Sequence, residues 1–180
     1  MFFLWVVGCW VALFVHTVFR KRPPQAREVK RDRRWTTGFC LQIAAIGMVW
    51  VLRRPADGEV ALGAIAAILA TISLWMMLAA QRELGKQFAY RARLVEGHKL
   101  ITTGPYRLVR NPIYTGLYGL TLATALAHSR WIAIPLFTAS YAAGTAIRVK
   151  AEERLLRGAF GAEFEAYARR TPAVIPGARL

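Results

Sequence analysis

Polar residues do not alternate with apolar ones along most of this chain; they are confined to a few stretches between long apolar blocks. Residues 1–19, 35–52, 60–80, 111–129 and 131–147 contain no Asp, Glu, Lys or Arg. A block of about 17 to 21 residues, rising ~1.5 Å per residue, spans a hydrocarbon core of ~30 Å. The pattern therefore predicts an all-α, polytopic membrane protein with about five transmembrane helices. Only His128, Ser129 and Arg130 separate the last two blocks, which predicts a tight helical hairpin whose ends are limited by Pro112 and Pro135. The first block is expected to be retained, because its basic residues follow the apolar run instead of preceding it.

Charge orients these blocks. The connection 20–34 holds eight Lys/Arg against two acids, residues 81–110 seven against two, and residues 148–180 seven against four. The remaining connections hold only Arg53, Arg54 and Arg130. The positive-inside rule then predicts an outside N-terminus and a cytoplasmic C-terminus. A formal net charge of +15 is thereby explained by topology and anionic lipid headgroups, without nucleic acid. Trp35, Trp50 and Trp131, at block ends, are expected to anchor at the interface.

The reactive residue types exclude several chemistries. Cys9 and Cys40 lie in separate apolar blocks with no CxxC and no paired His, so they are expected to be packing residues, with no metal site. His16 and His128 sit near block ends, and no Gly-rich nucleotide loop or Ser/His/Asp set is present. The informative segments are residues 81–114 and the C-terminal tail. The tail reads as a helix continuing the fifth block, a break at Gly161, a second short helix and a Pro-punctuated end. Within it Arg148 and Glu152 share one helix face, and Glu153 and Arg157 form a similar pair about 100° around the axis. Spacing alone makes both of these surface ion pairs worth a few tenths of a kcal/mol. Arg148 and Glu152, however, fall where a membrane helix emerges, which makes them candidates for a site.

Two separated motifs, HKLITTGPYRLVRNPIYTG (98–116) and RVKAEERLLRGAFGAEFEAYARRTPAVIP (148–176), flank the hairpin. In this order they resemble the isoprenylcysteine carboxyl methyltransferase family, within a membrane methyltransferase superfamily that includes phospholipid N-methyltransferases. The resemblance covers roughly residues 81–176. It implies an S-adenosylmethionine pocket facing the cytoplasm, lined by His98, Lys99, Leu100, Ile101, Tyr106, Asn111, Pro112, Ile113, Tyr114 and Glu152. By the same resemblance Arg148 takes the position that meets a substrate carboxylate. The resemblance places the methyltransferase core in residues 81–180, while residues 1–80, read from their apolar blocks alone, are expected to be N-terminal transmembrane helices 1–3 with the basic loop 20–34.

These residue types suit methyl transfer. A carboxylate acceptor is already ionised at neutral pH and needs orientation, which Arg148 can give, more than a base. Glu152 can accept hydrogen bonds from the cofactor, and Tyr106 and Tyr114 can supply ring surface and hydroxyls. Gly104 and Pro105 turn the chain while Pro112 fixes the start of the fourth helix. Asn111 departs from the pattern, which has His before this proline; Asn-Pro-x-Tyr also occurs in the phospholipid enzymes. Several functions thus stay open: methylation of a lipophilic, prenylcysteine-like carboxylate, methylation of a phospholipid headgroup amine, a non-enzymatic membrane interaction protein, or a nicotinamide-dependent membrane reductase. The expected partners are the bilayer and a lipophilic acceptor.

Overall fold

The computed structural model describes residues 1–19, 28–31, 35–53, 60–85, 93–95 and 99–177, with the backbone alone for 28–31 and 93–95. Helix α1 (Phe2–Phe19), α2 (Trp35–Val51), α3 (Val60–Leu84), α4 (Pro112–His128) and α5 (Ala133–Phe160) follow the five apolar blocks. Pro112 opens α4 at a position whose N–H has no helical partner in any case, and Pro135 lies in the first turn of α5. The tail is as its punctuation predicts. Helix α5 runs on to Phe160, Gly161 takes φ +49°, which a residue with a Cβ rarely adopts, and α6 spans Ala162–Arg170.

One element departs from the all-helical expectation. Strand β1 (Glu28–Arg31) pairs antiparallel with β2 (Arg93–Val95), joining the first and third connections. At the opposite end, Arg53 bridges Ser129, and Arg130 N–H donates to the Leu52 carbonyl at 2.8 Å. Phe3 stacks on His128 at that same end, with ring centroids 4.5 Å apart. The first and third connections therefore share one end of the bundle, and the second and fourth share the other, together with the start of α1.

Small residues set the helix crossings. A Cβ on Gly38 of α2 would stand 2.6 Å from the Gly144 carbonyl oxygen of α5, and one on Gly116 of α4 would stand 2.5 Å from Met77 Cγ of α3. Backbones approach this closely only where side chains are absent, as in membrane helix pairs. Around these crossings Val6, Leu13, Ala70, Met77 and Leu120 form one core, and Ala45, Val49, Phe137 and Tyr141 another. The outer faces remain apolar: Phe14 of α1, Ile43 of α2 and Ile68, Ile72 and Trp75 of α3 are all exposed. Such large exposed apolar surface marks contact with something other than water. An open apolar groove of about 330 Å³ between α1 and α3, lined by Trp5, Ala67, Ile68, Thr71 and Ile72, belongs to this surface.

Two expectations for single residues change. Trp35, expected to anchor on the outside of the bundle, is buried against Ala151 and Leu155 of α5. Cys9 packs in the core as expected, whereas Cys40 is exposed on α2.

Candidate functional site

The turn before α4 is held from several sides. Gly104, at φ +57°, brings the backbone so near α3 that a Cβ would meet the Glu83 side chain at 2.9 Å. Thr103 Oγ1 donates to Glu83 Oε2 at 2.7 Å, and the 3-10 turn Gly104–Arg107 buries Pro105 and Tyr106. From α6, the Tyr167 hydroxyl donates to the Tyr106 carbonyl at 2.6 Å. The tail beyond α6 folds back over the same turn: Asn111 donates from both its backbone N–H and Nδ2 to the Ala173 carbonyl, each at 3.0 Å. Thr115 Oγ1 donates to the Val174 carbonyl at 2.6 Å.

Four of the expected site residues converge above this turn. The Tyr114 hydroxyl donates to Glu152 Oε1, and the Tyr114 carbonyl accepts from the Tyr141 hydroxyl at 2.9 Å. The guanidinium carbon of Arg148 lies 4.9 Å from the centre of the Tyr114 ring. Arg148 and Glu152, one turn apart on α5, thus meet opposite parts of one tyrosine: its ring and its hydroxyl. Burial raises the Glu152 carboxyl above the ordinary range, opposed by the Tyr114 hydrogen bond and the Arg148 charge and reinforced by neighbouring Glu153. Burial likewise raises the Tyr106 hydroxyl, and the Glu152 charge adds to that shift, which puts Tyr106 within electrostatic reach of Glu152.

The other expected residues are placed differently. Pro112 is buried at the helix start, Ile113 packs on the core of α1, α3 and α4, and the Asn111 amide is engaged by the tail. Lys99 is exposed, Leu100 and Ile101 are half-buried on the way into the turn, and His98 lies outside the described residues.

The expectation for Glu153 is overturned. Its pair with Arg157 exists, at 3.2 Å, but Glu153 is only 8% exposed and is not a surface group. Its Oε1 accepts from Arg110 Nε at 2.9 Å and Nη2 at 2.7 Å. Arg110 Nη1 then donates to the Ala168 carbonyl at 3.0 Å and to that of Thr171. This cluster fastens α5, the turn and the tail together. Spacing could find the i,i+4 partner but not Arg110, which is 43 positions away.

Sequence reasoning also missed α2. Gln42, 1% exposed, accepts from Arg148 Nη1 at 2.9 Å, and the rings of Phe39 and Trp35 lie 5.5 and 5.9 Å from the Arg148 guanidinium carbon. A signal for Gln42 existed: it is a lone amide in an otherwise apolar stretch, where a polar side chain needs a partner. Among the described residues no group of three or more His, Cys, Asp or Glu could hold a metal ion.

Comparison with known proteins bears on this arrangement. Residues 61–163, more than half of the chain, match the phospholipid methyltransferase family. Protein-S-isoprenylcysteine O-methyltransferase B of Arabidopsis thaliana is 31% identical over 94 residues, covering 51% of this chain and 48% of that protein. Protein-S-isoprenylcysteine O-methyltransferase of Schizosaccharomyces pombe is 27% identical over 104 residues, 57% of this chain and 44% of that one. The cobalt-zinc-cadmium resistance protein CzcN of Cupriavidus metallidurans is 38% identical over 89 residues, covering 47% and 40%. The match spans less than half the length of each of these curated relatives. Among the described residues α1 and α3 are long and apolar enough to cross a membrane, and with the family match they mark a membrane protein. The chain belongs to the phospholipid methyltransferase family.

Proposed function

We propose that this protein is an integral membrane methyltransferase that uses S-adenosylmethionine to methylate a lipophilic carboxylate of the prenylcysteine type. The observation that carries this reading is the Arg148–Tyr114–Glu152 arrangement, in which one buried tyrosine meets a guanidinium at its ring and a carboxylate at its hydroxyl. The residues present fit the cofactor, because a carboxylate and the rings of Tyr106 and Tyr114 suit a ligand carrying an amino group and a positive sulfur. When bound, the cofactor supplies an activated methyl group on a sulfonium. Glu152 would accept hydrogen bonds from it, Tyr106 and Tyr114 would offer it ring surface and hydroxyls, and the segment 98–101 leading into the turn would line it, while Asn111, Pro112 and Ile113 would hold the turn in place. Arg148 would grip both oxygens of the acceptor carboxylate and aim it, as a planar fork can. Alignment and exclusion of water, with no covalent catalytic residue, would then accelerate transfer.

In this reading five helices cross the bilayer, the start of α1 faces outward, and residues 81–180 form the methyltransferase core, the α4–α5 hairpin in the membrane and the loop before it and the C-terminal segment on the cytoplasmic side, with α2 contributing Gln42. The ribbon between β1 and β2 supports it, since the two basic connections it joins must lie on one side. Reporter fusions after Leu180 and within residues 86–92 are expected to report cytoplasm, and one at Asp57 the outside. A C-terminal reporter on the outside would reverse the orientation.

A second reading, methylation of a headgroup amine, draws support from one observation: burial raises the Glu152 carboxyl, so it holds a proton more tightly than an ordinary glutamate does, as a group that takes a proton from an amine must. The two readings separate on Arg148→Lys, which keeps the charge and loses the fork. With a farnesylated cysteine analogue, the variant is expected to raise the acceptor KM about tenfold and leave cofactor affinity within about twofold. Activity confined to phosphatidylethanolamine, rising with pH as the amine loses its proton, would replace the carboxylate reading with the amine one.

A further inference from the structure

We infer that Gln42 of α2 is a positioning residue for the acceptor: it fixes the guanidinium of Arg148 in the orientation that receives a carboxylate. The inference rests on the carboxylate reading of Arg148 given above. Arg carries donors only, so the atom facing it must be an acceptor, and Gln42 Oε1 accepts from Arg148 Nη1 at 2.9 Å. The amide's other end is committed too, because Gln42 Nε2 donates to Thr145 Oγ1 at 2.8 Å. The Thr145 hydroxyl can donate or accept, so it is the donor-only guanidinium that turns the amide oxygen toward Arg148, and Thr145 takes up the Nε2 donor at the other end.

The surroundings make this arrangement stiff. Gln42, Thr145 and Arg148 are 1%, 5% and 7% exposed, so no water competes for these bonds and breaking one leaves a buried group unsatisfied. The glycine crossing supplies the proximity: a Cβ on Gly38, one turn before Gln42, would stand 2.6 Å from Arg148 Cγ. The choice of an amide also matters chemically. A carboxylate at position 42 would bind the guanidinium as an ion pair and compete with the acceptor, whereas a neutral oxygen orients it without adding that competing charge.

The test uses the full chain in lipid nanodiscs, with the farnesylated cysteine analogue as acceptor and separate titrations of S-adenosylmethionine binding. Gln42→Met keeps length and removes both hydrogen bonds, and it is expected to raise the acceptor KM about tenfold while the cofactor Kd stays within about twofold. Gln42→Glu is expected to raise KM further by occupying Arg148. Thr145→Val removes the hydroxyl that accepts from Gln42 Nε2 and leaves the bond to Arg148 without that anchor; its expected rise in KM is smaller, about threefold, and it serves if the position 42 variants do not fold. Acceptor KM unchanged in these variants, while Arg148→Lys raises it, would overturn the inference and leave the carboxylate reading standing. So would an equal loss of cofactor affinity, which signals a general structural role. If Arg148→Lys itself leaves KM unchanged, the carboxylate reading falls and takes the role of Gln42 with it.

Discussion

Glu153→Ala is expected to loosen the C-terminal segment against the turn before α4 and to lower stability by about 3 kcal/mol. Removing one partner of a buried ion pair is costly because the other charge stays behind without compensation, roughly 3–5 kcal/mol when burial is complete. Arg110 and Glu153 retain 12% and 10% side-chain exposure, which puts the value at the lower end. Arg110 carries the effect further, since its Nη1 also holds the Ala168 and Thr171 carbonyls. Thermal unfolding in detergent measures the loss, and proteolysis after α6 should accelerate in parallel. Glu165→Ala provides the comparison. Glu165 pairs with Arg157 at 2.8 Å, but both side chains are 46% exposed, so its removal is expected to cost well under about 1 kcal/mol. Equal small losses from the two variants would return Glu153 to the rank of a surface pair.

Glu152→Gln acts on binding instead of folding. It removes a charged acceptor with almost no change of volume, so affinity for S-adenosylmethionine is expected to fall by about 1.5 to 3 kcal/mol, roughly ten- to hundredfold. The sign for stability is the reverse. Because burial raises the Glu152 carboxyl in the folded protein, the folded state binds the proton more tightly than the unfolded chain does. Ionising it therefore costs stability as pH climbs from the ordinary carboxylate range through the raised value. At neutral pH the Gln variant is expected to be as stable as the original or slightly more so. Cofactor affinity of the unmodified protein should decline on acidification at a higher pH than an ordinary glutamate would give, and the Gln variant should lack that decline. Calorimetric titration across pH, paired with thermal unfolding, reads both signs. Affinity unchanged by the substitution would remove Glu152 from the cofactor site.

The helices were legible in the sequence for a simple reason: each apolar block is continuous, and its ends carry local signals. Pro112 starts α4, Gly161 separates α5 from α6, and both act through their own backbone conformation. The ribbon was not legible, because strands of four and three residues carry no apolar alternation to reveal them. In the candidate site, Arg148 and Glu152 could be singled out by their spacing at the end of an apolar block. What that spacing could not give was the tyrosine between them, or the difference between Glu152 and Glu153. Adjacent on the helix, these two glutamates point to different partners: Tyr114 for one and Arg110 for the other. Gln42 was hidden for the same reason, since its partner Arg148 is 106 positions away and the contact exists only once Gly38 and Gly144 let α2 and α5 touch.

Methyl transfer by the purified full chain in nanodiscs tests the proposed activity most directly. The substrate is S-adenosylmethionine labelled on its methyl group, and the acceptors are a farnesylated cysteine analogue and phosphatidylethanolamine, each presented alone. The expected result is label on the carboxyl group of the cysteine analogue as a base-labile ester, with saturable cofactor binding and little label on the phospholipid. Absence of label from both acceptors, together with absence of saturable cofactor binding by a folded protein, would contradict a methyltransferase altogether.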